Sequence, residues 1–350
     1  MISLRWNYPT GSYGRFKTLS AFAPVDNILP NLQSIFITLY QCYPIKMGIP
    51  VSQSLEKPSI FKTVLCLFAA AFMWGSSNVI ARSLLIEGVN EIFLVTARVS
   101  IIGSLLFTYT LFFNREKFNK QLLKEASLTS FASIFLVGWS FIFSLQYISS
   151  GLVTLMISSA PVFTVMWLKI LLKEEEISIS KYIAIGVGFS GIAYLFISRE
   201  TGLLEQGNIF LGGSLAFVGV QGIAFATVLN RKYAPSYKVS SWLAYQYPLV
   251  LILSWTAFLI SGVGIDSLNQ SQQLRLAILV VFNLGAFMSF TWLIQRVSAL
   301  LVATVDYLVP VVGVTAGVVF LNEVFNRNII ISGVFIFVSL VISTKEEFTN

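Results

Sequence analysis

The fold is decided by two stretches read against each other: residues 140–174, SFIFSLQYISSGLVTLMISSAPVFTVMWLKILLKE, and residues 289–323, SFTWLIQRVSALLVATVDYLVPVVGVTAGVVFLNE. At a constant offset of 149 they agree without a gap at eleven positions. The pairs include Ser140/Ser289, Phe141/Phe290, Gln146/Gln295, Ser149/Ser298, Pro161/Pro310 and Glu174/Glu323. Two unrelated apolar stretches of this length share roughly three identities from composition alone. Shared apolar composition does not put Gln, Pro and Glu in register, so the stretches read as copies of one ancestral unit.

What surrounds them is a membrane protein. Hydrophobic residues make up 56% of the 350 positions and charged residues 11%, with mean hydropathy +0.79. Soluble domains carry about 25% charged residues. The apolar runs are near the length that crosses the hydrocarbon layer as a helix. Length and charge place spans near 62–85, 92–113, 128–147, 150–172, 180–198, 208–230, 240–262, 273–294, 298–321 and 328–344. The expected fold is therefore an all-α membrane protein, with ten transmembrane helices as two five-helix repeats. Because five is odd, the two repeats must have opposite topology, as in many secondary transporters.

The expected division is an N-terminal arm, 1–60, a first repeat, 61–200, and a second repeat, 207–344. The arm is basic and holds Pro9, Pro24, Pro30, Pro44, Pro50 and Pro58. It reads either as a translated segment or as an over-extended gene model with the start at Met47, just ahead of the first span. An inside N-terminus puts the arm, Arg115, Lys117, Lys120, Lys124, Lys173, Lys181, Arg231, Lys232, Lys238, Arg296 and Lys345 in the cytoplasm. Only Arg82, Arg199, Arg275 and Arg327 then fall outside. That bias satisfies the positive-inside rule, so both termini are expected in the cytoplasm, at a bacterial inner membrane.

Several chemistries are excluded or disfavoured. The formal charge of +7 is spread over short loops, which is not the footprint of a nucleic-acid binder. There is no histidine, which removes the common His-dependent triads and most zinc chemistry. Cys42 and Cys66 read as inert packing residues. A membrane-embedded enzyme would need paired carboxylates, a His motif or a Ser/Lys pair, and a channel would need a ring of like polar groups. No metal or cofactor is expected. A membrane enzyme, receptor or scaffold stays as the alternative to a transporter.

The residues also resemble a family. Ala69–Asn78, AAAFMWGSSN, looks like the opening helix of EamA-type members of the drug/metabolite transporter superfamily. Thr96-Ala97-Arg98, Ser158-Ser159-Ala160-Pro161, Lys173-Glu174, Gly186, Gly191 and Gly333 are similar to further features of that family. The resemblance covers about 61–344. It implies ten helices, alternating access and a central cavity that carries amino acids, other small metabolites or drugs, often outward. Three features depart from the pattern: Arg82 where many relatives carry lysine, Gln221-Gly222 in place of Trp74-Gly75, and the long arm.

Asp306 stands out among the candidate residues. It lies mid-span, and its repeat mate is Ile157. A carboxylate at membrane depth costs several kcal/mol unless it faces a cavity or a partner. Asp306 is thus expected to bind a cationic group or take up a proton, with a structural hydrogen bond as the alternative. Trp74, Asn78, Trp139, Ser158, Gln221, Tyr245 and Tyr307 are further substrate-binding candidates, although Trp and Tyr also form interfacial belts. Structural or gating roles are expected for Arg98, which could snorkel or pair with Glu91, with binding of a substrate anion as the alternative, and for Pro161, Glu174, Pro310 and Glu323. Gly75, Gly151, Gly213, Gly222 and Gly313 read as close-packing positions. Carriers of phosphorylated compounds favour several deep basic residues, and Arg98 is the only one in view. A small neutral or zwitterionic metabolite such as an amino acid is expected, with proton coupling open.

Overall fold

The computed structural model describes residues 59–110, 112, 119–172, 178–204, 207–297 and 299–349. The arm up to residue 58 and Glu174 lie outside the described residues. Every regular element among the described residues is helical: α1 (Ile60–Ile86), α2 (Glu91–Tyr109), α3 (Lys120–Ser144), α4 (Ser150–Ile157), α5 (Ala160–Leu172), α6 (Ile179–Ser198), α7 (Ile209–Tyr233), α8 (Val239–Ser261), α9 (Gln270–Arg296), α10 (Ala299–Leu321) and α11 (Arg327–Thr349). Eight helices are long and apolar enough to cross a membrane, with α4 and α5 counting as one broken span. Shorter apolar helices, Val305–Leu321 and Arg327–Ser339, lie within α10 and α11.

Most helix starts are written locally. Asn90 accepts from Ile92 N and Phe93 N, Ser149 from Leu152 N, and Asn208 from Leu211 N. Asn269 and Gln272 form a reciprocal capping box. Each cap satisfies backbone donors that have no partner within the first turn. The third span begins at Lys120, earlier than the apolar run suggested, because Asn119 caps a polar turn ahead of it. It also contains a π-helical segment, Phe131–Leu136.

The two repeat prolines behave differently. At Pro161 the span breaks: Ser158 and Ser159 turn their hydroxyls back onto the carbonyls of Leu155 and Met156, both at 2.6 Å. Those hydroxyls, together with Ser159 N on the Met156 carbonyl at 3.0 Å, close the last turn where the helix stops. At Pro310, where no such serines precede, α10 runs on.

The halves interleave rather than sit side by side. The opening helix of the first half, α1, packs on α9 and α10 of the second, while α7 packs on α3 and α5 of the first. The second helices, α2 and α8, pair with each other, as do the last, α6 and α11. This reciprocal exchange is what an inverted repeat produces. Gly75 lets α1 reach α10, since a Cβ there would lie 2.7 Å from the Val312 Cβ and 2.8 Å from the Val309 carbonyl. Small residues let apolar helices approach closely inside a bilayer.

One face is tied by a buried acid. After α10, Asn322 adopts a left-handed conformation, φ 53°, and Glu323 turns back onto α4. Its carboxylate accepts from Ser150 N and Ser150 Oγ, each at 2.7 Å, and from Gly151 N at 2.9 Å. Arg82 Nε stands 3.4 Å away, and the same guanidinium donates to the carbonyls of Leu145 and Ile148. Gly202, with φ 72°, brings the linker between halves into the same knot: Val324 N donates to its carbonyl at 2.9 Å, and a side chain there would strike Ser149. A carboxylate on a helix N-terminus is favoured by the unpaired N–H groups and the helix dipole.

Glu323→Ala strands the Arg82 charge and the first turn of α4, so it is expected to cost about 3 kcal/mol. Thermal unfolding in detergent should show a clear drop, and an unchanged melting temperature would count against the knot. Gly317→Ala should act in the same direction, because a methyl group there collides with the Glu323 carboxylate.

Candidate functional site

Between the halves lies a cavity of about 170 Å³, room for a small metabolite. Its walls come from both repeats: α1, α2, α3, α5 and α7–α10 all contribute. Most of the surface is apolar, with three charged side chains, Arg98, Arg231 and Asp306.

The α1–α9 wall is aromatic and amide-bearing. Trp74 meets Phe287 edge-on at 5.7 Å and Phe290 at 5.0 Å between ring centroids. Asn78 lines the cavity beside it, and Asn283 Nδ2 donates to Ser77 Oγ at 3.3 Å. The opposite wall, α2–α3–α8, carries Arg98. Its guanidinium lies over Gly138, where a Cβ would come within 2.7 Å of Nη2. Tyr247 of α8 is its electrostatic neighbour. Tyr247 is also its repeat mate, at the same spacing of 149. Polar contact continues along this wall, with Ser133 Oγ donating to Gln246 Oε1 at 3.4 Å.

Asp306 lies on the α7–α10 side, where the Arg231 guanidinium is its electrostatic partner. Arg231, counted above among the loop charges, sits in the last turn of α7 and reaches the cavity. Hydropathy alone could not detect this, because a long side chain at a helix end can point either way. A signal was nonetheless present: Arg231 follows Arg82 by the repeat spacing. Arg98 also differs from expectation. It forms no ion pair with Glu91, because two helical turns put the groups about 10 Å apart along α2.

The structure brings Trp74, Asn78, Arg98, Pro161 and Asp306 to one cavity. Other candidates lie elsewhere. Trp139 donates to Ser254 Oγ at 3.4 Å and stacks on Phe143. Ser158 is spent on the Leu155 carbonyl. Gln221 accepts from Trp167 Nε1 at 3.1 Å, Tyr245 OH accepts from Asn119 N at 3.3 Å, and Tyr307 packs edge-on against Phe337. Pro310 lies within α10 and Glu323 in the knot. Glu174 lies outside the described residues. Tyr247, Gln246, Asn283 and Arg231 are cavity residues that reading the sequence missed.

Beyond the cavity, at the turn between α7 and α8, Gln295 donates to the carbonyls of Ala234 and Tyr237 at 2.8 and 3.0 Å. Burial, and then the hydrogen bond to Glu125, push the Tyr237 phenol up to about 12, so it stays a donor to that carboxylate.

The comparisons with known proteins agree with this architecture. A solved crystal structure superposes with a TM-score of 0.57 at 16% identity, covering 82% of this chain and 98% of its own. At that identity the likeness concerns the fold. No protein of curated function matches the sequence. The model of the EamA-like transporter family matches twice, over residues 61–197 and 210–345. The two matches cover both repeats, and the chain belongs to the EamA-like transporter family.

Proposed function

We propose that the protein is a secondary transporter that moves a small neutral or zwitterionic metabolite, such as an amino acid, by alternating access. Ten spans form two inverted halves of five, with both termini on the cytoplasmic side of a bacterial inner membrane. The observation that carries this reading is the cavity between interleaved halves, walled by both repeats and lined by an acid and two arginines. Charged groups in that position are expensive and mark solute or ion pathways. Membership of a transporter family supports the same reading over a membrane enzyme or scaffold.

In this orientation the Glu323 knot lies at the outer face and ties α10 of the second half to α4 of the first. Opening that side requires the Glu323 carboxylate to leave the α4 N-terminus. Inverted halves exchange their conformations to expose a central site alternately to each side. The repeat mate of Asp306 is Ile157, so no second acid matches it, and the charge of Arg231 on α7 acts on it. Asp306 is therefore the group proposed to exchange a proton, weakening and restoring its attraction to Arg231 during the cycle.

Labelled amino acids in proteoliposomes with an imposed pH gradient test this function. The wild type is expected to show gradient-dependent uptake or export, and Asp306→Asn to lose at least about tenfold of it. Unchanged gradient-dependent flux in the variant would remove Asp306 from coupling. Absence of flux for every small metabolite tried would count against the transporter itself.

A further inference from the structure

We infer that the substrate carries a carboxylate and that Arg98 is the group that holds it. This deepens the transporter reading and rests on it. Arginine keeps its charge in proteins, so burial does not neutralise it. A buried guanidinium without a counter-charge costs several kcal/mol. Arg98 approaches that position: it is half-buried, it lines the cavity, and among the described residues no carboxylate pairs with it.

The one acid that lines the cavity and two acids outside it have cations other than Arg98 acting on them. Asp306 faces Arg231, Glu323 is held by Arg82 and the α4 N-terminus, and Glu87 pairs with Arg275. The immediate neighbours of Arg98 are the Tyr247 phenol and the bare backbone of Gly138. Neither balances a positive charge. Counted formally, two arginines and one aspartate leave the cavity lining one positive unit in excess, and Arg98 is the arginine with no acid acting on it.

The chemistry of the site favours a carboxylate over a phosphate ester. A planar guanidinium binds a carboxylate through two parallel N–H donors. One guanidinium matches one negative charge, whereas a dianionic phosphate would call on a second cation, and the cavity's other arginine, Arg231, has the charge of Asp306 acting on it. Across the cavity, Trp74, Phe287 and Phe290 offer a hydrocarbon surface for the rest of the molecule. An α-amino acid satisfies this arrangement, as does a simple carboxylate without the amine. Its amide or amine counterpart does not.

Gly138 gives a second handle. A methyl group there would stand 2.7 Å from Nη2 and displace the flexible end of Arg98 without removing its charge. The test is ligand-induced thermal stabilisation of the purified full chain in detergent, with four probes that share a branched hydrocarbon: 4-methylpentanoate, L-leucine, L-leucinamide and isopentyl phosphate. The two carboxylates are expected to raise the melting temperature at concentrations at least tenfold lower than the amide. Arg98→Gln should abolish the difference. Gly138→Ala, with an unliganded melting temperature equal to wild type, should weaken carboxylate binding several-fold.

Equal binding of acid and amide, undiminished carboxylate binding in Arg98→Gln, or no shift with either carboxylate would overturn the inference. Tighter binding of isopentyl phosphate would overturn it in favour of a phosphate ester. Carboxylate binding that persists in a protein without flux in liposomes would sink the transport reading and leave the Arg98 assignment standing. Flux with no preference for the acid would do the reverse.

Discussion

The carboxylate of Glu323 is the point on which the two halves meet. It accepts two backbone N–H groups and a hydroxyl from the start of α4, with the Arg82 guanidinium beside it. None of these groups can be left alone inside the protein at low cost. The helix start has unpaired donors, the arginine has a charge, and the glutamate has both a charge and spare lone pairs. Their mutual satisfaction sets where α10 ends, where α4 begins and how closely the two lie. Gly317 makes room for it, because a side chain there would collide with the carboxylate, and Gly151 lets α4 approach α10, since a Cβ there would lie 3.3 Å from the Val314 Cα.

The cavity follows from that arrangement. Once α10 lies against α4 and α1, Asp306 occupies the inner wall, and α7 brings Arg231 to it. Exchange of helices between halves places the second helices, α2 and α8, against each other, so Arg98 and its repeat mate Tyr247 face one another. The same duplication that stabilises the scaffold thus produces a site that is not symmetric. An arginine opposes a tyrosine at one pole, and an aspartate stands where the other half has Ile157. Stability is drawn from what the repeats share, and chemistry from where they differ.

The site was only partly legible in the sequence. Asp306 could be picked out because a carboxylate in an apolar run is costly wherever it points. Trp74 and Asn78 belong to a recognisable opening motif and do reach the cavity. Trp139, Tyr245 and Tyr307 show the limit: each is an aromatic within a span, yet each is engaged with a neighbouring segment instead. A mid-span aromatic can face lipid, another helix or a cavity, and composition is the same in all three cases. Arg231 failed in the opposite sense. At a helix end it counts as a loop charge, and only the tilt and neighbours of α7 turn it inward.

By itself, the sequence determined the membrane class, the duplication, the caps at most helix starts and the presence of an unmatched acid. These follow from hydropathy, spacing and local hydrogen bonding, all of which act over short stretches of chain. The tertiary structure decided that Pro161 interrupts its span while Pro310 does not, and that Glu323 caps a helix 173 residues away instead of ending its own. It also decided that Arg98 faces a cavity without a counter-charge. The direction a side chain takes from a helix in a bilayer depends on which helices surround it, and hydropathy carries no record of that.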